Sequence, residues 1–249
     1  MISVWTIREN IYTFFRGRDV LMCKIHVVET LKDAQKACQL IKTKAIIGLD
    51  LELDASSAAS LLQIAVSTDE VYIFDVTTLG QQLFDASCLL PILCDPRITK
   101  LCYDCRGDSE TLFRKHGAKI YGLYDLQIVF TSLFQAYEDP HLKGISHAVR
   151  VALPYSKSSA VFSACKVRMK RCFRAGENKF LRPLSSDALQ YCADDTIILM
   201  RLYNALHFHV DSEEVLVLSS IRAKRHIFRS STRPMYIVDF PRLQASACC

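Results

Sequence analysis

The chain has no run of about 20 apolar residues, so nothing in it reads as a membrane-spanning helix. The N-terminus has no clean secretory pattern, because Arg8, Glu9, Arg16, Arg18 and Asp19 interrupt each apolar run. No second Cys-x-x-Cys partners Cys102 and Cys105, and no His pair stands at finger spacing, which argues against structural zinc. There is no internal repeat and no low-complexity tract, and the terminal Cys248-Cys249 is not a CaaX box. Eleven cysteines at irregular spacing, without a leader, point to free thiols in a reducing compartment. An intracellular protein of the cytoplasm or nucleus, off the membrane, is expected. What remains is 249 residues of net charge +5, enough for one large, mildly basic domain.

Acidic residues cluster in three places. The first is Gly48-Leu49-Asp50-Leu51-Glu52, inside a run of branched apolar residues that reads as a buried strand from Ala45 to Leu53. Side chains two apart on a strand share a face, so Asp50 and Glu52 converge. Two carboxylates side by side in a core are unfavourable unless cations neutralise them, and hard cations such as Mg²⁺ or Mn²⁺ suit oxygen donors. A strand end with acids facing water is the equal alternative at this point. The second patch runs from Lys100 to Asp108, with Asp108 placed after a strand at Thr99–Tyr103 and just before a helix from Ser109 to His116 closed by Gly117. The third is Tyr191-Cys192-Ala193-Asp194-Asp195. The apolar spacing predicts an amphipathic helix from Ser186 to about Leu206, capped by Ser185 or Ser186, and residues four apart put Tyr191 and Asp195 on one face. Asp194 is a rival for the carboxylate role.

The remaining pattern predicts a strand at Lys24–Val28, a helix from Thr30 to Lys42, and strands at Leu61–Ser67 and Val71–Val76 joined as a hairpin. A helix is expected over Leu83–Cys94, ending at Asp95-Pro96. Antiparallel strands followed by alternating strands and helices suggest a mixed α/β sheet.

Taken in this order, the three patches resemble the DEDD family of 3′–5′ exonucleases, in the branch with tyrosine in the last motif. The stretch Asp104-Cys105-Arg106-Gly107-Asp108-Ser109 is most similar to Egalitarian-like and fungal exonuclease-domain proteins, and more distantly to ribonuclease D and the Werner-type exonuclease. The likeness covers about Lys24 to Leu206. It departs at Tyr103, where many relatives carry His, and the C-terminal domain of ribonuclease D has no counterpart. The resemblance implies an α/β ribonuclease H-like mixed sheet flanked by helices. It divides the chain into an N-terminal arm (1–22), an exonuclease domain (23–210) and a basic C-terminal helix and tail (211–249). It also implies a two-ion site for Mg²⁺ or Mn²⁺, with Asp50, Glu52 and Asp195 at the first metal and Asp50 and Asp108 at the second. Tyr191 would orient the attacking water. The substrate implied is the 3′ end of single-stranded RNA or DNA. Some members of the family have lost such residues and act as RNA-binding adaptors, so a binding module is the competing expectation.

Two stretches are basic. Lys166, Arg168, Lys170, Arg171, Arg174, Lys179 and Arg182 precede the Tyr191 helix, and Arg222, Lys224, Arg225, Arg229 and Arg233 follow it. Clustered positive charge beside an acidic site suits phosphate contacts, with Lys166, Arg168, Lys170 and Arg171 the first choice; a solvated loop and a charged helix tail are the bland alternatives.

Overall fold

The computed structural model describes residues 3–8, 11–16, 23–54, 58–85, 87–134, 141–154, 156, 159–160, 162–167 and 180–228, the first two ranges as backbone alone. Eight strands form one mixed sheet among these residues. They are β1 (Ser3–Arg8), β2 (Ile11–Arg16), β3 (Cys23–Val28), β4 (Ile46–Leu53), β5 (Ala59–Ala65), β6 (Glu70–Asp75), β7 (Thr99–Cys102) and β8 (Leu123–Asp125). Their order is β1-β2-β3-β6-β5-β4-β7-β8. The β4–β5–β6 meander is antiparallel, whereas β3 joins β6, and β7 joins β4 and β8, in parallel. Residues 3–8 and 11–16, expected only as part of an arm, thus extend the sheet beyond β3.

Strand alternation sorts the side chains into two layers. Ile47, Leu49 and Leu51 of β4 join Leu62 and Ile64 of β5 and Phe74 of β6 on one face, under α1 (Leu31–Ile41). Thr30 starts α1 by accepting the Asp33 N–H at 3.2 Å. The opposite face carries Leu61, Ala65, Val71 and Ile73, which pack against Ala188, Leu189, Cys192 and Ile197. Those four residues belong to the longest helix, Ser186–Leu206, whose N-cap is Ser185.

Two expectations need correction. The helix predicted over Leu83–Cys94 is instead a 3₁₀ turn (Gly80–Phe84) and a short helix (Leu90–Cys94). Pro91 is the physical reason: it is tolerated only in the first turn of a helix, so one can start at Leu90 but not run through it. The helix predicted from Ser109 begins earlier, at Arg106, and ends at His116 with Gly117 left-handed at φ 67°. Asp108 therefore lies inside its first turn.

In chain order the helices are α1, α2 (Val76–Leu79), α3 (Leu90–Cys94), α4 (Arg106–His116), α5 (Leu126–Phe134), α6 (Ile145–Ala152), α7 (Ser186–Leu206) and α8 (Ser212–Phe228). None of the described helices is long and apolar enough to cross a membrane.

Gly48 sets how closely α7 approaches the sheet. A Cβ there would stand 2.7 Å from the Thr196 carbonyl oxygen and 3.3 Å from Ala65 Cβ. The first of these is backbone, so the helix would have to move. Overpacking of this kind typically costs about 1–3 kcal/mol. Gly48→Ala is therefore expected to lower the melting temperature in EDTA by several degrees, read by calorimetry. An unchanged melting temperature would remove Gly48 from this role.

Candidate metal centre

Gly48, Asp50 and Glu52 share the face of β4 that meets α7. Glu52 and Asp195 are buried, at 7% and 5% exposure, and Asp50 is partly buried. One carboxylate oxygen from each of Asp50, Glu52 and Asp195 can be chosen so that all three lie within 4.8 Å of one another. The helix brings Asp195 there because Thr196 is wholly buried against the strand. Its hydroxyl donates back to the carbonyls of Cys192 (3.2 Å) and Ala193 (3.3 Å). Asp194 faces elsewhere: Gln190 Nε2 donates to its Oδ1 at 2.7 Å.

The electrostatics follow from crowding. Burial is the largest influence raising the Asp50 carboxyl well above its ordinary range, and the charges of Asp108, Asp195 and Glu52 add to it. Asp108 sits outside the three-oxygen cluster but close enough to act on Asp50. Burial, followed by the charges of Asp104, Glu52 and Asp125, pushes its own carboxyl up from 3.8 to about 7. Burial, and then Asp195, Glu52 and Asp50, also raise the Tyr191 phenol, which stays protonated throughout the physiological range.

Residues 162–167 form a short helical segment over this group. Lys166, expected among the phosphate contacts, donates from Nζ to Asp195 Oδ2 at 2.5 Å and to the Tyr191 hydroxyl at 3.1 Å. Arg168, Lys170 and Arg171 lie outside the described residues. Two arginines of the basic stretches are internal braces. Arg182 grips Asp75 with two bonds of 2.6 and 2.9 Å and Ser60 O with one of 3.2 Å, fixing the approach to α7. Burial would raise the Asp75 carboxyl, but the Arg182 and Thr78 hydrogen bonds outweigh it and hold the carboxyl below its ordinary value. Arg222, only 5% exposed, bonds Asp125 Oδ2 at 2.5 Å and also reaches Gln127 Oε1 and Asp104.

That second brace places Asp108. The Asp125 carboxylate accepts the N–H groups of Asp104 (2.9 Å), Cys105 (3.1 Å) and Gln127 (3.0 Å). Asp104 takes the left-handed conformation, φ 65°, which Asp tolerates better than most residues. The chain thereby turns sharply from β7 into α4. Cys102, Cys105 and Asp125 also approach within 4.8 Å. Arg222 already neutralises Asp125, and burial drives the Cys102 thiol well above its ordinary value, so this trio is a poor metal donor set.

Sequence reasoning missed Gln63. It is fully buried, lies directly across from Asp50 in the β4–β5 register and packs against the Cys192 thiol. The available signal was an amide in the otherwise apolar run Leu61-Leu62-Gln63-Ile64-Ala65.

A carboxyl raised in the folded state keeps a proton that the unfolded chain has lost, so stability falls as pH rises from about 4 to about 7. Asparagine at position 108 carries no such penalty. In EDTA, the melting-temperature difference between Asp108→Asn and the wild-type protein should therefore shift in favour of the variant across that window. A difference independent of pH would show that Asp108 is not crowded as described.

A family model described as 3′-5′ exonuclease matches residues 25–211. Piwi-interacting RNA (piRNA) biogenesis protein EXD1 of Homo sapiens is 29% identical over 147 residues, which is 58% of this chain and 28% of that protein. The chain thus spans about a quarter of the length of the curated relatives it matches. Trypanosoma brucei RNase D superposes with a TM-score of 0.70 at 24% identity, covering 85% of this chain and 78% of that one. Escherichia coli RNase D does so with a TM-score of 0.60 at 19% identity, over 82% and 51%. With the motif residues on one sheet face and the RNase D fold around them, the chain belongs to the DEDD-type 3′–5′ exonuclease family.

Proposed function

We propose that this protein is a two-metal-dependent 3′–5′ exonuclease that shortens single-stranded nucleic acid, with RNA the first substrate to test. The observation that carries the reading is the convergence of the Asp50, Glu52 and Asp195 oxygens within 4.8 Å in a largely buried setting. Three acids held this close, in a pocket that raises Asp50, form an all-oxygen set suited to Mg²⁺ or Mn²⁺. Asp50, Glu52 and Asp195 would hold one ion; Asp50 and Asp108 would hold the other. Such ions, when bound, make water nucleophilic near neutral pH and stabilise the leaving 3′ oxygen.

The chain's own residues do the positioning. Tyr191 stays a phenol, so it aims the attacking water by a hydrogen bond and does not remove its proton. Arg168, Lys170 and Arg171 are assigned to phosphates on charge alone. RNA is favoured over DNA because a structural relative, Trypanosoma brucei RNase D, is described in complex with RNA U12, and because the human relative is named for piRNA biogenesis. The Lys166 ammonium on Asp195 favours a second reading, in which the same fold binds RNA without cutting it.

A 5′-labelled single-stranded RNA incubated with Mg²⁺ or Mn²⁺ separates the two. The expected result is a ladder shortened from the 3′ end, lost in Asp50→Asn and Asp108→Asn. A mobility shift without a ladder would establish the adaptor instead.

Tyr191→Phe keeps the ring and loses the hydroxyl. Its turnover number is expected to fall about 10²–10⁴-fold, the usual contribution of such groups, with metal affinity little reduced. Unchanged turnover would make Tyr191 a core residue.

A further inference from the structure

Lys166 stands where a metal ligand's charge should be free. Its Nζ lies 2.5 Å from Asp195 Oδ2, with side-chain exposures of 18% and 6%. The same atom donates to the Tyr191 hydroxyl at 3.1 Å, sits 4.4 Å from the centroid of the Tyr191 ring and 5.4 Å from that of Phe162. Its charge also reaches Asp50. The ammonium therefore touches two of the five motif residues and acts electrostatically on a third.

Three facts give this contact a meaning beyond one ion pair. Acids packed this closely repel, and a cation among them relieves the repulsion whether it is a metal ion or an ammonium. Asp195 Oδ2 is a ligand oxygen on the proposed-function reading, and an oxygen held by an ammonium at 2.5 Å is not open to a metal ion on the same side. The residue is lysine, a compact point charge on a flexible four-carbon stem, which can withdraw where an arginine fork would stay. The two aromatic faces stabilise the ammonium in place without binding it covalently or in a fixed fork.

We propose that Lys166 is the resident counter-cation of this carboxylate cluster, which a metal ion must displace from Asp195 to bind. This inference rests on the proposed function for the identity of the metal ligands. It deepens that reading by assigning the chain an internal competitor. With Lys166 seated, one ligand oxygen is covered and the Tyr191 hydroxyl accepts from the ammonium. A metal ion held by these carboxylates would take over the neutralising role of the ammonium, which would then no longer occupy the Tyr191 hydroxyl. The apparent metal affinity is the intrinsic affinity reduced by the fraction of molecules in which the lysine has withdrawn.

The test is Mn²⁺ binding to the full chain without nucleic acid, followed by electron paramagnetic resonance, with melting temperatures in EDTA and in Mn²⁺. Four proteins are compared: wild type, Lys166→Met, Lys166→Arg and Asp50→Asn. Lys166→Met keeps the stem and removes the charge. It should bind Mn²⁺ about 10-fold more tightly than wild type. It should also melt lower in EDTA and gain more from Mn²⁺. Lys166→Arg should bind more weakly than wild type, because a guanidinium can pin Asp195 with two bonds. It also serves as the informative variant if Lys166→Met does not fold. Asp50→Asn reports on the underlying site: if it binds Mn²⁺ as wild type does, the metal-centre reading is wrong. If Asp50→Asn weakens binding while Lys166→Met binds no more tightly than wild type, the site stands and the exchange is refuted. The exchange is likewise refuted if only Lys166→Arg folds and its affinity matches or exceeds the wild type's.

Discussion

Like charge forced into a confined space is the constraint on which the rest of this structure depends. Asp50, Glu52 and Asp195 offer oxygens within 4.8 Å of one another, and Asp108 adds its charge from α4. In water the carboxylates would separate. Here the pleat of β4 fixes two of them on one face, and the packing of Thr196 on Gly48 fixes the third. The sheet and helix therefore hold the carboxylates in a mutually repulsive arrangement. Burial sharpens the repulsion because it removes the screening that water would supply.

Such an arrangement needs walls that do not give. Two arginines, set far from the acids they hold in sequence, supply them. Arg182 ties the segment entering α7 to Asp75 at the end of β6, and Arg222 on α8 ties the β7–α4 turn to Asp125. Each is a planar, permanently charged fork already satisfied by a carboxylate, so each is committed to structure. Lys166 has the opposite character. It is one ammonium on a flexible stem, and it touches a motif carboxylate. The division of labour follows from the chemistry of the two side chains: the forks brace, and the point charge can move.

This division marks the limit of what the sequence revealed. The strand period of two placed Asp50 beside Glu52, and the helix period placed Tyr191 beside Asp195; both are local rules that the structure obeys. The family spacing brought Asp108 into the set, although its helix begins at Arg106 because the Asp125 carboxylate gathers the N–H groups of the turn. The fates of the basic residues were not legible. Arg182 and Arg222 read only as members of basic stretches because composition records charge and not its partner, and their partners are 107 and 97 residues away. The contact of Lys166 with Asp195 went unforeseen for the same reason: Asp195 was already assigned to metal, and no rule of spacing says that two cations can claim one oxygen.

The carboxylates, the braces and the lysine together explain how an acidic cluster of this kind can be held together without being fully neutralised. A cluster neutralised by arginine forks would resemble the Asp125 network, where Arg222 matches the carboxylate charge and backbone N–H groups occupy its oxygens. A cluster with no internal cation would strain the fold whenever metal was scarce, since nothing would offset the repulsion that raises Asp50 and Asp108. A mobile ammonium avoids both outcomes. It offsets part of the charge in the metal-free state through one contact, with Asp195. On the proposed reading, the residual negative charge would draw a divalent ion in, and the rigid braces would ensure that it meets carboxylates already gathered beside the sheet.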